Sequence, residues 1–197
     1  MSAQSITLLV ICVVLVCWVV GAYNRLVRLK NAIANAFAQI DVQFKRRYDL
    51  IPHLVEAAKK YLRHENETLE TVTLARNVAK TASEAVRSRP TNAQAVSALS
   101  AAEQVLDGKL GQFFAVSESY PALKGDATIR ELSEALASTE NKVAFSRQAY
   151  NDAVLDYNNA RAQFPAVLVA RLFRFSPALV LRETESAAER QAIRTNL

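Results

Sequence analysis

The pattern of apolar and polar positions begins with one long uncharged stretch. Residues 2–24 carry no charged side chain, and as a helix they would extend about 34 Å, which is enough to span a bilayer. A cleaved signal peptide is the alternative, because Val20-Gly21-Ala22 weakly resembles a cleavage site. A signal peptide should also begin with Lys or Arg, however, and neither precedes the apolar run. We therefore predict an uncleaved transmembrane anchor in residues 1–23.

The rest of the chain has the spacing of apolar residues that is typical of amphipathic helices. Prolines divide it into segments 24–49, 52–87, 91–119 and 126–164. The fourth segment has the clearest repeat, with an apolar or aromatic residue every seven positions at Ile129, Leu136, Val143, Tyr150 and Tyr157. Two capping-box patterns, Thr91 to Gln94 and Thr128 to Glu131, predict where the third and fourth segments begin as helices.

These patterns predict an all-α fold in which the N-terminal transmembrane helix continues into an antiparallel bundle of three to four long helices. The four glycines and five prolines are too few for the many turns of an all-β fold. The predicted domains are the anchor with a short outer tail (1–23), a cytoplasmic helical bundle (24–164) and an apolar, basic C-terminal segment with its tail (165–197).

The joint between the first two helical segments, Asp49 to Pro52, allows two interpretations. Asp49 can cap a new helix with Pro52 in its first turn, but no Gly or Asn offers the chain reversal that a hairpin usually needs. We favour a kinked, nearly continuous helix. A kink should leave the C-terminal tail far from the membrane, whereas a hairpin should return the tail to it.

The second segment has a predicted apolar stripe at Val55, Ala58, Leu62, Leu69, Val72, Ala79 and Val86. Charged side chains interrupt this stripe and that of the first segment. Extending each stripe puts Arg47 in the first seam and Glu65 and Arg76 in the second. A buried charge needs a partner, so one interpretation pairs Glu65 with Arg76 or Arg47 in a structural polar network. The other interpretation is that the stripe drifts locally and leaves these groups at the rim.

Two glycines in the third segment, Gly108 and Gly111, lie on nearly one helical face. Glycine destabilises a helix by about 1 kcal/mol relative to alanine. We therefore predict close helix packing, with a neighbouring backbone that approaches there.

Charge is unevenly distributed around a net value of +5. Basic residues follow the anchor directly, at Arg25, Arg28 and Lys30, and recur in the C-terminal part, whereas the bundle is nearly neutral. By the positive-inside rule the bulk of the chain is cytoplasmic. A nucleic-acid binder should carry a basic stripe on its folded body, so we expect the lipid bilayer as a partner and no nucleic acid.

A second apolar segment, residues 164–182, is too short and too charged to span a bilayer. We expect it to lie at the membrane surface or to dock into a neighbouring subunit, or else to pack back on its own bundle. The predicted membrane or subunit contacts are Arg25, Arg28, Lys30, Leu172, Phe173 and Phe175. The last residues, 183–197, are typical of a solvated or disordered end.

Few residues point to catalysis. His53 and His64 are the only histidines, and at about 16 Å apart along a helix they cannot hold one metal ion. Cys12 and Cys17 both lie in the apolar stretch, and the sequence has no phosphate-binding loop or serine elbow. We predict no catalytic residue, cofactor or metal site, and hence no enzyme.

Several motifs fall in register with one known family. They are Asn35-Ala36, Gln39-Ile40-Asp41-Val42-Gln43, Arg46-Arg47, Asp49-Leu50-Ile51-Pro52, His64-Glu65, Ala75-Arg76 and a C-terminal motif at 164–175. On these residues the chain closely resembles the bacterial LemA family over nearly its whole length, although Phe37 and His53 depart from the family's usual tryptophan and asparagine. The resemblance implies a single-pass protein of the bacterial inner (cell) membrane with its N-terminus outside. It implies little about biochemistry, because the family has no agreed activity.

Three functions compete. The leading hypothesis is a membrane scaffold that self-associates into a homo-oligomer, because every soluble segment carries an apolar seam. The second is an adaptor or sensor subunit for a membrane protease or membrane-remodelling system, suggested by the resemblance and requiring another membrane protein as partner. The third is an enzyme, which requires a pocket with convergent polar groups and has Glu65 as its best candidate.

Overall fold

The computed structural model describes residues 3–181. Within that range the chain forms helices and no strand: α1 (Ala3–Lys59), α2 (Asn66–Ser88), α3 (Ala93–Ser117), α4 (Pro121–Lys124), α5 (Ala127–Ala162) and α6 (Ala166–Leu172). The predicted all-α fold, with an apolar N-terminal helix that continues into a helical bundle, is confirmed.

Helix α1 is continuous for 57 residues, about 86 Å, and its two halves have different surroundings. Side chains 4–18 are exposed on every side of the helix. Among the described residues, α1 is the one helix that is long and apolar enough to cross a membrane. In its second half a single face is buried, along Leu26, Ile33, Phe37, Ile40, Phe44, Ile51, Leu54 and Ala58.

Four long helices form the bundle by running alternately in opposite directions. Helix α1 packs most extensively on α5 and also on α2, and α2 packs on α3. The chain reverses at residues 60–65, at residues 89–92 and at residues 118–126, where the short α4 lies. This order leaves α1 and α5 side by side along the whole length of the bundle.

The caps that begin α3 and α5 differ from the predicted ones. Asn92 Oδ1 accepts a hydrogen bond from the Ala95 N–H at 2.9 Å, and Asp126 Oδ1 accepts one from the Thr128 N–H at 2.9 Å. The predicted capping boxes on Thr91 and Thr128 are therefore wrong by one and two residues. Asn and Asp are at least as good as Thr in accepting from the free N–H groups at a helix start, and here they occupy the capping positions.

The predicted boundary between the first two helices is displaced. Helix α1 continues through Pro52, so the interpretation as a nearly continuous helix is confirmed and the hairpin at Asp49 to Pro52 is wrong. The chain reverses at residues 60–65 instead. Segment 52–87 therefore belongs to two helices, although its predicted apolar stripe is buried in both.

The C-terminal segment returns to the apolar end of α1. We had expected a continuous helix at Asp49 to Pro52 to leave the C-terminal part far from that end, and this expectation is wrong for residues 166–181. Because α5 runs back along α1, Leu26, Ala160 and Ala170 form one small buried cluster. The side chain of Asn158 on α5 then exchanges two hydrogen bonds with the backbone of Ala178, at 2.8 and 3.0 Å.

Residues 166–181 pack back on the bundle along one side, where Val169, Ala170, Ala178 and Leu181 are buried, and they leave Leu168, Leu172 and Phe173 exposed on the other. The predicted solvated end at 183–197 lies outside the described residues.

Candidate functional site

An ion cluster centred on Arg47 lies in the middle of the bundle. Arg47 is only 3% exposed, and its guanidinium contacts three carboxylates. Nη1 lies 2.9 Å from Glu103 Oε2 and 3.2 Å from Glu140 Oε2, and Nη2 donates to Asp107. The Tyr48 hydroxyl donates to the other oxygen of Glu103. One buried cation thereby joins α1, α3 and α5.

The electrostatics of this cluster follow from burial and from an excess of acidic groups. Burial raises the pKa of Glu103 to about 7, although Arg47 and the Tyr48 hydroxyl act to lower it. Burial would lower the pKa of Arg47, but Asp107, Glu140 and Glu103 raise it above its ordinary value. The cluster therefore combines a charged guanidinium with a carboxyl group, that of Glu103, whose pKa burial has raised towards neutrality.

A second buried carboxylate, Asp41, joins α1 to α2. Its Oδ1 accepts from Ser83 Oγ at 3.2 Å, and its Oδ2 lies 2.9 Å from Arg87 Nε and 3.0 Å from Lys45 Nζ. Burial alone would raise the pKa of Asp41, but hydrogen bonds from Arg87 and Lys45 hold it below its ordinary value. Asp41 is therefore an ionised group with satisfied hydrogen bonds, and it fixes α2 against α1.

The proline in α1 explains the position of Arg76. Proline has no N–H, so the carbonyl four residues earlier in the helix, that of Tyr48, loses its usual hydrogen bond. Arg76 Nε from α2 donates to this carbonyl oxygen at 2.8 Å, and Arg76 Nη2 lies 4.0 Å from Asp49. Arg76 therefore satisfies the acceptor that Pro52 leaves open.

The predicted network of Arg47, Glu65 and Arg76 is wrong, because the three residues bind different partners. Arg47 binds carboxylates of α3 and α5, and Arg76 binds a backbone carbonyl of α1. Glu65 lies at the far end of the bundle, where it accepts a hydrogen bond from the Tyr120 hydroxyl at 3.2 Å. The alternative, a drift of the stripe, is correct for the partly buried Glu65 and Arg76. The chain reverses at residues 60–65, so the helical register that predicted the pairing does not continue.

Sequence reasoning missed Glu103, although a signal for it exists. The buried residues of α3 alternate in steps of three and four, through Val96, Leu99, Glu103, Leu106, Leu110 and Phe113. A strict heptad spacing puts Glu103 at a seam position, and a charge in a seam requires a partner. Asp107 and Glu140 carry no such signal, because they reach Arg47 from beside the seam.

An apolar groove runs between α2 and α3 on the outer side of the bundle. It has a volume of about 500 Å³ and is lined mainly by Leu74, Val78, Ala98, Ala101 and Val105. The three larger side chains, Leu74, Val78 and Val105, are more than half exposed. The groove is therefore an apolar surface that no element of the described chain covers.

The predicted close packing at Gly108 and Gly111 is wrong within this chain. Both glycines are exposed, and a Cβ atom added at either one would meet no atom of a neighbouring helix within 4 Å. Gly108 lies three residues after Val105 and so extends the face of α3 that lines the groove.

The predicted membrane or subunit contacts lie together at the end of the bundle that adjoins the apolar stretch. The ring centroid of Phe173 lies 4.9 Å from that of Tyr23, and that of Phe175 lies 5.6 Å from it. Leu172 is 73% exposed. The basic members of the set are exposed on the adjoining part of α1, at Arg25, Arg28 and Lys30. What these residues contact stays a prediction.

The described residues, 3–181, contain no group of three or more His, Cys, Asp or Glu side chains that could hold a metal ion. His53 and His64 are both exposed. The carboxylates around Arg47 form ion pairs with its guanidinium, and these ion pairs hold α1, α3 and α5 together.

The family model described as the LemA family matches residues 36–196. This range includes both buried ion clusters, the groove and the C-terminal segment. No curated protein matches the chain.

Proposed function

The chain belongs to the LemA family, and from this premise we propose that it is a membrane-anchored helical scaffold. Residues 1–23 anchor it in the lipid bilayer of the bacterial inner membrane, with the N-terminus outside. The bundle lies on the cytoplasmic side, self-associates into a homo-oligomer and organises partners there without catalysing a reaction.

The observation that carries the proposal is the continuity of α1. One unbroken helix passes from a stretch with apolar side chains exposed on all sides to a stretch whose face forms the bundle core. Apolar surface in water costs about 25 cal/mol per Å², and a bilayer removes that cost for the first stretch. Because the same helix continues into the bundle, the anchor also holds the bundle in a fixed orientation.

Charge supports the proposed orientation. Arg25, Arg28 and Lys30 directly follow residues 2–24, which carry no charged side chain. Basic residues that flank a membrane span are enriched on its cytoplasmic side.

The groove between α2 and α3 supports self-association. Leu74, Val78 and Val105 form a continuous exposed apolar surface together with the small residues Ala98 and Ala101. Small residues allow a second helix to approach closely, and a helix in an apolar groove is a common mode of recognition. We propose a second copy of the chain as the occupant, because anchors in one membrane hold copies in parallel and raise their effective concentration.

The alternative function is an adaptor or sensor subunit for a membrane protease or membrane-remodelling system. The same groove suits this alternative, because its apolar lining of Leu74, Val78 and Val105 can receive a helix from a different chain. In this alternative a helix of another membrane protein lies in the groove.

Self-association is tested with the full chain extracted from membranes into lipid nanodiscs. Val78→Glu introduces a charge into the groove, and Thr73→Glu introduces the same charge at an exposed position of α2 outside it. We expect light scattering to find oligomers for the parent protein and for Thr73→Glu, and monomers for Val78→Glu. A parent protein that is monomeric at every concentration contradicts the scaffold.

Crosslinking in native membranes distinguishes the scaffold from the adaptor. A ladder of self-linked species that is lost in Val78→Glu supports the scaffold. Mixed species with another membrane protein, lost in Val78→Glu and kept in Thr73→Glu, support the adaptor.

A further inference from the structure

We propose that residues 164–174 form a second membrane contact, an apolar and basic surface that lies in the headgroup region of the leaflet from which α1 emerges. The inference rests on the proposed membrane anchor. A single span leaves the bundle attached at one point, and a contact of this kind adds a second point on the neighbouring side of the bundle.

The level of this surface is set by its packing against α1. Ala170 of α6 is buried against Leu26, and the ring of Phe173 packs on that of Tyr23. Tyr23 is one of the last uncharged residues before the first arginine, and tyrosine at such a position is typical of a membrane interface. Residues that pack beside Tyr23 therefore lie at the level at which the apolar stretch ends.

The outer side of this segment is apolar and exposed. The exposed fractions are 82% for Phe164, 56% for Leu168, 73% for Leu172 and 49% for Phe173. Leu168 and Leu172 are four residues apart and so lie on one face of α6. Segments with such a face insert about 5–10 Å into the boundary between headgroups and acyl chains.

Charge at this end of the bundle complements anionic headgroups. Residues 3–40 and 157–181 contain no acidic side chain and six basic ones: Arg25, Arg28, Lys30, Arg161, Arg171 and Arg174. A second copy of the chain docked on this end would bring these like charges together, which is unfavourable. Anionic lipid headgroups attract them, so the bilayer is the occupant that the charge favours.

The backbone at Arg174 gives independent support. Arg174 has a positive φ of 55°. It follows α6 in a helix-ending motif, in which the Arg174 N–H donates to the Arg171 carbonyl and the Phe175 N–H donates to the Ala170 carbonyl. Glycine is the usual residue at that position because a Cβ atom is strained there. Arginine is less stable than glycine in this backbone conformation, and a contact between its guanidinium and a lipid headgroup would explain why an arginine occupies the position.

The test uses the full chain carrying Cys12→Ala and Cys17→Ala, in vesicles of phosphatidylethanolamine and phosphatidylglycerol. A nitroxide is attached at one introduced cysteine at a time. Leu172→Cys reports on the proposed contact, and Leu9→Cys reports on the anchor. Phe145→Cys is the matched control, because Phe145 is an apolar residue on α5 that is 77% exposed. Electron paramagnetic resonance then measures collisions with oxygen, which concentrates in lipid, and with a water-soluble nickel chelate.

We expect the label at Leu172 to collide less with nickel and more with oxygen than the label at Phe145. Equal exposure of these two labels to nickel overturns the proposal. Protection of the Leu172 label from both reagents also overturns it, since a protein then covers the surface. Free collision of the Leu9 label with nickel refutes the anchor itself, so the two failures are distinguishable.

A second variant tests the charge. Arg174→Gly should keep the fold, because glycine suits the positive φ. In phosphatidylglycerol vesicles we expect the ratio of lipid-facing to water-facing label at Leu172 to fall about fivefold on loss of this one arginine. In vesicles of phosphatidylcholine alone the ratio should not change. An unchanged ratio in both kinds of vesicle contradicts the role assigned to Arg174.

Discussion

The two halves of α1 share one helical backbone and differ in what surrounds them. Residues 4–18 are apolar or uncharged on every face and exposed on every face. Residues 26–58 have one largely apolar face, which α5 and α2 bury together with Asp41 and Arg47, and their other faces are mostly polar. Val14 and Val42 are 61% and 59% exposed, so exposure alone does not distinguish the halves. The two halves are distinguished by the residues that surround each valine. A helix that is apolar on every face, as around Val14, needs an apolar environment, whereas a helix with one apolar face does not.

The largest change in stability is expected on removing the buried charge of the second half, Arg47, which is tolerated there because it is paired with carboxylates. Arg47→Met leaves Glu103, Asp107 and Glu140 without their cation, and we expect a loss of about 3–5 kcal/mol in the free energy of unfolding. Denaturant unfolding of the full chain in detergent, followed by circular dichroism, measures it. The neighbouring and exposed Arg46 is the control, since Arg46→Met should stay within about 0.5 kcal/mol of the parent. Equal losses for the two variants would show that the cluster is not stabilising.

A charge placed at equally exposed valines tests the comparison directly. Val14→Lys should oppose membrane insertion by about 2.5–3.5 kcal/mol, whereas Val42→Lys should leave both insertion and unfolding nearly unchanged because Val42 faces away from the core. The measurement is the fraction of chain that stays in the membrane after an alkaline wash. Similar fractions for the two variants contradict a bilayer around the first half.

A smaller change in stability is expected at the hydrogen bond between Arg76 and the Tyr48 carbonyl that Pro52 leaves open. Arg76→Met leaves the Tyr48 carbonyl unpaired, and we expect it to cost about 1–3 kcal/mol. In a Pro52→Ala background the new backbone N–H satisfies that carbonyl, so the cost of Arg76→Met should fall by about 1 kcal/mol or more. Unfolding free energies of the four proteins in this cycle provide the measurement. Strict additivity would mean that Arg76 stabilises α2 for another reason.

The smallest effect is a dependence on pH. The pKa of Glu103 is about 7 in the folded protein because of burial, above its value of about 4.3 in an unfolded chain. Between these values the folded state binds more protons, so stability falls as pH rises, by about 1–2 kcal/mol from pH 5.5 to pH 7. The thermal midpoint should therefore be higher at pH 5.5. Glu103→Gln should remove this part of the slope, and an unchanged slope would assign it to other groups.

Much of the bundle could be predicted from the sequence, because its information is local. The seven-residue repeat from Ile129 to Tyr157 predicted the buried face of α5, and the stripe from Val55 to Val86 predicted buried positions on both sides of a turn that was itself misplaced. The turn was missed because residues 60–65 contain no Gly or Pro. Prolines elsewhere were better markers, but Pro52 lies inside α1, where Arg76 satisfies the carbonyl it leaves open.

By itself the sequence determined that this protein is all-α, that it has one apolar stretch of membrane-spanning length, and most of the apolar residues that the long helices bury. Those properties depend on residue type and on spacings of three, four and seven, which are present along the chain. The tertiary structure decided that Arg47 meets Glu103, that Glu65 and Arg76 lie apart, and that Phe173 returns to Tyr23. Such pairs depend on the axial positions of the antiparallel helices relative to one another, and the positions of the turns along the chain set them.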